Sequence, residues 1–457
     1  MRRPPVEEHA STQEVLTGWG GTVPTMAEVV SPAAVEDLAT LVAGRPRRGV
    51  LARGLGRSYG DAAQNAGGLV ARLDRLDAIG PVDRSTGRIT CGAGVSLDRL
   101  IRTLLPLGWF VPVTPGTRQV TLGGAVAADV HGKNHHRDGT LSAHVVSLTL
   151  VDGRGQVRTL APDDDLFWAV PGGMGLSGIV VEVTLQLLPV GSGHVVVDTT
   201  RTASLDETME TLEEADRTHR YSVAWVDCLS RGARMGRGVV TAGEHAGGDD
   251  ALAASRPDGR QGRWRPVGGT TVAVPRWAPG APLNPVTVGL FNELYHRRAP
   301  RLARSIEPIG TFFHPLDAVQ DWNRLYGPRG VVQHQCTVGD AEAMRRVIGV
   351  FANRRAPTFL CVLKRFGAEG RGPLSFPQPG WTLAVDLPVG SDTAGVLDEV
   401  DAVVLSSGGR VYLAKDSRVL PAAFSEMYPR LDDWRHLRDQ LDPDHVFRSD
   451  LSRRLHL

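Results

Sequence analysis

Thr121-Leu122-Gly123-Gly124-Ala125-Val126-Ala127-Ala128-Asp129-Val130-His131-Gly132 is the stretch on which the reading of this chain turns. Half of these twelve residues are Gly or Ala, and such a run buries little apolar area per residue, which makes it poor core filler. It suits a place where backbone must come close to something else, because Gly reaches conformations that other residues resist. His131 ends the run and opens a polar cluster, Gly132-Lys133-Asn134-His135-His136. A backbone cradle of small residues leading into titratable side chains fits a cofactor's phosphate and ring, with chemistry at its far end. The competing reading is a tightly packed Gly/Ala loop carrying surface histidines.

Outward from this stretch, the chain has 457 residues, room for two or three domains. A hydrophobic content of 42% with 22% charged residues fits a soluble globular protein. The formal net charge of +1 gives no global field that would favour nucleic acid. Cys91, Cys228, Cys336 and Cys361 are scattered without a CxxC pair, so neither a disulfide framework nor a metal site is expected. Met1-Arg2-Arg3-Pro4-Pro5 is basic but has no apolar segment behind it, so no secretory signal is expected. No apolar run approaches the roughly 20 residues of a membrane span.

Ser31-Pro32 reads as a helix start, with Val35, Leu38, Leu41 and Val42 on one face. A short strand at 49–52 runs into Arg53-Gly54-Leu55-Gly56-Arg57-Ser58-Tyr59-Gly60. A dinucleotide fingerprint would continue into an amphipathic helix. Here an Ala-, Asn- and Gly-rich segment follows, so the GxG is not that signal. Ser96 caps a helix with Leu97, Leu100, Ile101 and Leu104 on one side. Residues 144–151 and 156–160 form a hairpin around Asp152-Gly153, and 172–178 is a third glycine turn before a strand at 179–188. Beyond about residue 195, strands at 221–226, 358–364 and 382–387 alternate with helices at 205–218, 340–352 and 393–405, the pattern of an antiparallel sheet with helices packed on it. Residues 256–285, rich in Pro, Gly, Arg and Trp, read as a long loop, and 410–418 as a strand ending in charges.

Three glycine turns on short strands, without the dinucleotide helix, resemble the vanillyl-alcohol-oxidase family of FAD enzymes. Further runs, namely His131-Gly132-Lys133-Asn134-His135-His136, Leu374-Ser375-Phe376-Pro377, Leu413-Ala414-Lys415-Asp416-Ser417-Arg418 and Phe447-Arg448-Ser449-Asp450-Leu451, are similar to the branch that oxidises decaprenylphosphoryl-β-D-ribose. The resemblance implies an α+β flavoprotein of two domains. One, from 1–194 and 408–457, would bind FAD. The other, 195–407, would bind substrate with an antiparallel sheet and helices, and would carry a long loop at about 256–304.

The resemblance also implies site residues. The first turn would hold FAD through Arg53, Gly54, Leu55, Gly56, Arg57, Ser58, Tyr59 and Gly60. The cofactor site would extend to Gly116, to Thr121, Leu122, Gly123 and Gly124, to Ala128, Asp129 and His131, and to Ile179 and Tyr412. Many relatives carry at position 57 a His that bonds covalently to flavin; Arg57 cannot, so FAD is expected to be non-covalent. Lys415 is the first candidate for handling the proton of the oxidised hydroxyl and His131 the second. Tyr59, Lys133, Gln335, Lys364, Thr382, Ala384 and Lys415 would face the substrate. A pocket cysteine and an asparagine of the family pattern are Ala384 and Thr382 here. The implied reaction takes a polyprenyl-phosphate-linked ribose to its 2′-ketone, for arabinan of the cell wall, with a short-chain dehydrogenase/reductase as partner. Apolar residues Val274, Trp277, Leu283, Val286, Val288 and Leu290 beside His296, Arg297, Arg298, Arg301 and Arg304 suit peripheral contact with an anionic membrane of the cell envelope. Two alternatives stand beside this one: an FAD oxidase of small sugars, alditols or aldonolactones, and a flavin-binding protein without turnover.

Overall fold

A computed structural model describes residues 11–247, 272–275 and 283–457. The element that positions everything else is an eight-stranded sheet. Its order is Leu302–Pro308, His194–Thr202, Gly238–His245, Tyr221–Val226, Cys361–Phe366, Gly380–Pro388, Val331–Val338 and Arg410–Val411, and every neighbouring pair is antiparallel. Helices Leu205–Thr218, Ala341–Arg354 and Thr393–Ser406 cover one face. The first of these buries Leu205, Thr208, Met209, Leu212 and Ala215, the i, i+3, i+4, i+7 pattern of a one-sided helix, and Ser204 caps it by accepting from the Glu207 amide.

A second region holds two smaller sheets. One runs Thr12–Leu16, Thr25–Val30, Leu69–Arg72, Val50–Arg53; the other runs Arg88–Gly92, Ile179–Gln186, Val145–Val151, Val157–Leu160. The C-terminal tail returns to the first of these: Val50 donates to the Val446 carbonyl at 2.9 Å, and Arg448 donates to that of Val50 at 3.1 Å. The chain is thus a two-domain α+β protein whose second sheet is antiparallel, as the alternation of strands and helices predicts.

Four details differ from the sequence reading. The first helix starts at Val35 behind Ala34, not at Ser31. The strand expected from residue 358 begins at Cys361. Only Arg410–Val411 of the stretch 410–418 is strand; the amides of Lys415 and Asp416 then both donate to the Tyr412 carbonyl, which turns the chain inward. The expected loop does not extend to 304. Pro285–Arg298 is a helix capped by Asn284, and Leu302–Pro308 is an edge strand of the large sheet. Val272–Ala273 pairs in parallel with Val319–Gln320, while residues 248–271 and 276–282, with Trp277, lie outside the described residues.

Candidate active site

The uncovered face of the large sheet and the glycine turns enclose a cleft of about 860 Å³. This is the size at which small-molecule and cofactor sites are found. One wall is Gly54 to Tyr59. The opposite wall is Pro115 to Thr121 with Gly123 and Gly124. Leu122–Ala127, the centre of the small-residue run, is a short helix capped by Thr121, whose hydroxyl accepts from the Gly124 amide at 3.2 Å. The two walls touch at Gly54, where a methyl group would stand 2.1 Å from the Thr121 hydroxyl oxygen. At Gly116 and Gly175 an added carbon would meet nothing within 4 Å, so both open onto free space in the cleft. Among the described residues, the amides of Leu55, Gly56, Arg57 and Ser58 have no internal carbonyl acceptor. Unpaired amides in a concave turn beside open space form a cradle for phosphate oxygens. The walls therefore fit an extended dinucleotide.

Of the cofactor residues inferred by resemblance, five stand outside the lining. Leu122 and Ile179 are fully buried in the core. Asp129, at a left-handed φ of 42°, is buried and accepts from the Ser375 hydroxyl at 2.5 Å. Arg53 braces the first turn from behind by donating to the Ala63 and Thr17 carbonyls. Gly60 packs on the tail, where a methyl group would lie 1.9 Å from the Asp416 carbonyl oxygen. Arg57 does line the cleft; its guanidinium lies 3.8 Å over the Trp19 ring and donates to the Gln119 carbonyl.

The floor is set by strand register. Gln333 pairs with Asp386, Gln335 with Ala384, Val362 with Ala384, and Lys364 with Thr382. Side chains alternate across a strand, so these positions share the face turned to the cleft. Lys364 lies in this grid, and Lys415 comes in from the turn after Arg410–Val411. His131 sits between them and the cradle, with Nε2 3.0 Å from Gln335 Nε2 and Nδ1 3.1 Å from Lys364 Nζ. Burial, then the charges of Lys364, His135 and Lys415, hold the His131 imidazole well below its usual range. Burial lowers Lys364 to about 7, helped by Lys133 and Lys415. Burial lowers Lys415 to about 8, against the pull of Asp386, whose own carboxyl burial raises to about 6. The Lys415 ammonium lies 4.2 Å over the Tyr59 ring, and Asp386 accepts from Gln333 Nε2 at 2.5 Å. Tyr412 lines the cleft, stacks on Phe376, and donates to the Ala128 carbonyl.

Two substrate residues inferred by resemblance are placed otherwise. Lys133 turns away: its ammonium lies over the Phe312 ring and donates to the Phe312 carbonyl. Thr382 shares that face but is covered beside Gln335 and does not line the cleft; it accepts from the Gln335 side-chain amide and donates to the Cys336 carbonyl. Asp386 and Gln333 were missed, yet period-two spacing from Ala384 and Gln335 was there to find them. Among the described residues, no group of His, Cys, Asp and Glu could hold a metal, and no helix is long and apolar enough to cross a membrane.

Comparison with known proteins agrees with this geometry. An FAD-binding-domain family matches residues 26–161, and a D-arabinono-1,4-lactone oxidase family matches 388–455, the segment that carries Lys415. The chain is 40% identical to a decaprenylphosphoryl-β-D-ribose oxidase of Mycolicibacterium smegmatis, covering 98% of this chain and 99% of that one. It is 26% identical to an L-gulono-1,4-lactone dehydrogenase of Mycobacterium tuberculosis, over 96% and 99%. An alditol oxidase of a Streptomyces species is 32% identical over 38% and 42%. FAD is therefore the cofactor, and the protein is an FAD-dependent oxidoreductase.

Proposed function

The chain belongs to the decaprenylphosphoryl-β-D-ribose oxidase family, and from that premise we propose that it oxidises the 2′-hydroxyl of decaprenylphosphoryl-β-D-ribose to the 2′-ketone, the first step of epimerisation to an arabinose donor for cell-wall arabinan. The observation that supports this most is the convergence of Lys364, Lys415, Gln335 and His131 at one end of a glycine-walled cleft. Gly54 to Ser58 and Thr121 to Gly124 would hold the dinucleotide, with Tyr412 and His131 nearer the ring end. When bound, FAD supplies the two-electron acceptor. The chain's own residues do the rest. Gln335 orients the sugar, the two lysines face its hydroxyl, and Tyr59 and Phe376 keep water from the reacting end. No His stands at position 57, so FAD is held without a covalent bond, and acid precipitation should release all of it. The division into 1–194 with 408–457 and 195–407 is retained in this reading, its edges adjusted to the strands that start at His194 and end at Val411.

An exposed surface stripe fits the lipid. On helix Pro285–Arg298, Val286, Leu290 and Leu294 are exposed four residues apart, and Arg297, Arg298, Arg301 and Arg304 are exposed at its far end. An apolar stripe ending in cations suits peripheral docking on an anionic membrane of the cell envelope. A keto product needs a reductase, for which a short-chain dehydrogenase/reductase is the partner in this scheme. The match of residues 388–455 favours one alternative, oxidation of a small aldonolactone or alditol. Anaerobic mixing decides between them. Bleaching of the bound flavin by a polyprenylphosphoryl-ribose, and not by xylitol or gulonolactone, is the expected result. The reverse pattern would establish the small-substrate oxidase, and no bleaching by any of them a binding protein without turnover.

A further inference from the structure

We propose that Lys364, in its amine form, is the base that takes the substrate's hydroxyl proton, and that Thr382 is the positioning residue that keeps it in that form. This rests on the oxidation reading above and assigns roles within the same cleft.

The argument is one of counting hydrogens. Thr382 has a single hydroxyl hydrogen, and the Cys336 carbonyl accepts it at 2.9 Å. Toward Gln335, 3.2 Å away, the Thr382 oxygen then offers only lone pairs, so the Gln335 atom facing it is the amide nitrogen. The second hydrogen of that NH2 group is directed to His131 Nε2 at 3.0 Å. A ring nitrogen that accepts carries no hydrogen. Burial keeps the His131 ring neutral, so its one proton sits on Nδ1. That N–H faces Lys364 Nζ at 3.1 Å. An ammonium has three donors and no lone pair, and would set donor against donor; an amine accepts. Rotating the Gln335 amide would demand the Thr382 hydrogen and break its bond to the Cys336 carbonyl. The asparagine that the family pattern carries at this position both donates and accepts, and would leave the choice open.

The charges around Lys364 agree. His131, Lys133 and His135 come from the segment after the small-residue helix, Lys415 from the C-terminal turn, and the Phe366 ring from its own strand at 5.9 Å. None is anionic. Lys415 instead has the Asp386 carboxylate, which favours its cation. The two lysines thus divide the work. As the carbon–hydrogen bond breaks, hydrogen and its electron pair leave to FAD. The hydroxyl proton passes to Lys364 Nζ, and the C–O single bond becomes the carbonyl. The Lys415 ammonium stays charged and steadies the developing negative charge on oxygen.

Two measurements on the FAD-loaded protein test this. With 15N-labelled histidine and no substrate, at pH 7.5, the His131 signal (identified by its loss in His131→Asn) is expected to show a neutral ring protonated at Nδ1. An Nε2–H tautomer or an imidazolium would overturn the proposal. In anaerobic rapid mixing with a polyprenylphosphoryl-ribose, the bleaching rate should rise with pH through about 7, because the amine is the active form. Lys364→Met should lower the rate about 10²- to 10⁴-fold and remove this pH limb. Lys415→Met should be slow but keep the limb. Thr382→Val frees Gln335 to turn and lets Lys364 donate to His131, so its limb should move to higher pH; Thr382→Ser should restore it. A limb lost in Lys415→Met and kept in Lys364→Met would refute the assignment. If the wild type is not bleached at all, the substrate reading fails, and the histidine tautomer alone decides this one.

Discussion

Lys415 reaches the cleft only because the chain turns at Tyr412; its ammonium lies over the Tyr59 ring, and the nearby Asp386 carboxylate favours its charged form. Lys415→Met keeps the side-chain volume and removes the charge. It should lower flavin reduction about 10²-fold while leaving bound FAD near one per chain, read by stopped-flow and by absorbance. Ala384 sits in the grid between Val362 and Gln335, and the four native cysteines are all buried. The wild-type protein should therefore resist thiol reagents under native conditions. Ala384→Cys should take up one equivalent, seen by mass spectrometry, and lose that labelling when substrate is bound. At this scale the residue types could be read from the sequence. Lys415, His131, Gln335 and Lys364 were all picked out by resemblance and all line the cleft. The direction of Lys133 could not, because nothing local says that its ammonium will find the Phe312 carbonyl, 179 positions away.

The elements that were legible are those whose own pattern specifies them. Helix Leu205–Thr218 has apolar spacing, a serine cap and acidic residues in its first turn, and it forms where expected. Local signals failed where pairing partners decide. The stretch 410–418 looks like one strand, but its pairing with Val331–Val338 ends with the Tyr412 amide on the Gln335 carbonyl, and the chain then turns. Two caps separate stability from function. Ser204→Ala removes the hydroxyl that accepts from Glu207, and should cost about 1 kcal/mol with FAD binding unchanged. Thr121→Val removes a similar cap at the cleft wall and should cost about as much. It should also weaken FAD, because the Thr121 side chain sets the distance to the Gly54 turn. Thermal melts with and without added FAD distinguish the two: the deficit of Ser204→Ala should be the same at every FAD concentration, and that of Thr121→Val should be smallest without FAD and widen as FAD is added.

Across the whole molecule, distant segments meet at buried charges. The tail joins the first turn through Arg454, which donates to Asp61 at 2.8 Å and faces Asp416. Behind the floor, His334 Nε2 lies 2.8 Å from Asp401, which also holds Arg418. Burial opposes a charge on His334, yet the Asp401 hydrogen bond raises it to about 10. Its folded value lies above the unfolded one of about 6.5. The stability it contributes is thus complete below about pH 6.5 and is lost as pH rises through about 10. Urea midpoints should show the wild type ahead of His334→Gln at pH 6.5, with the margin shrinking toward pH 10. The sequence by itself determined the fold class, the glycine turns and the residue types that line the cleft. These are written in local features: glycine where two backbones approach, apolar spacing along helices, and motif runs shared with a family. Only the tertiary structure decided which lysine feels a carboxylate and which meets a histidine, and that Thr382 supports Gln335 from beside it. Charge state and hydrogen-bond direction depend on burial and on partners such as Thr382 for Gln335, 47 positions away, and His131 for Lys364, 233 positions away, and no window of sequence carries that information.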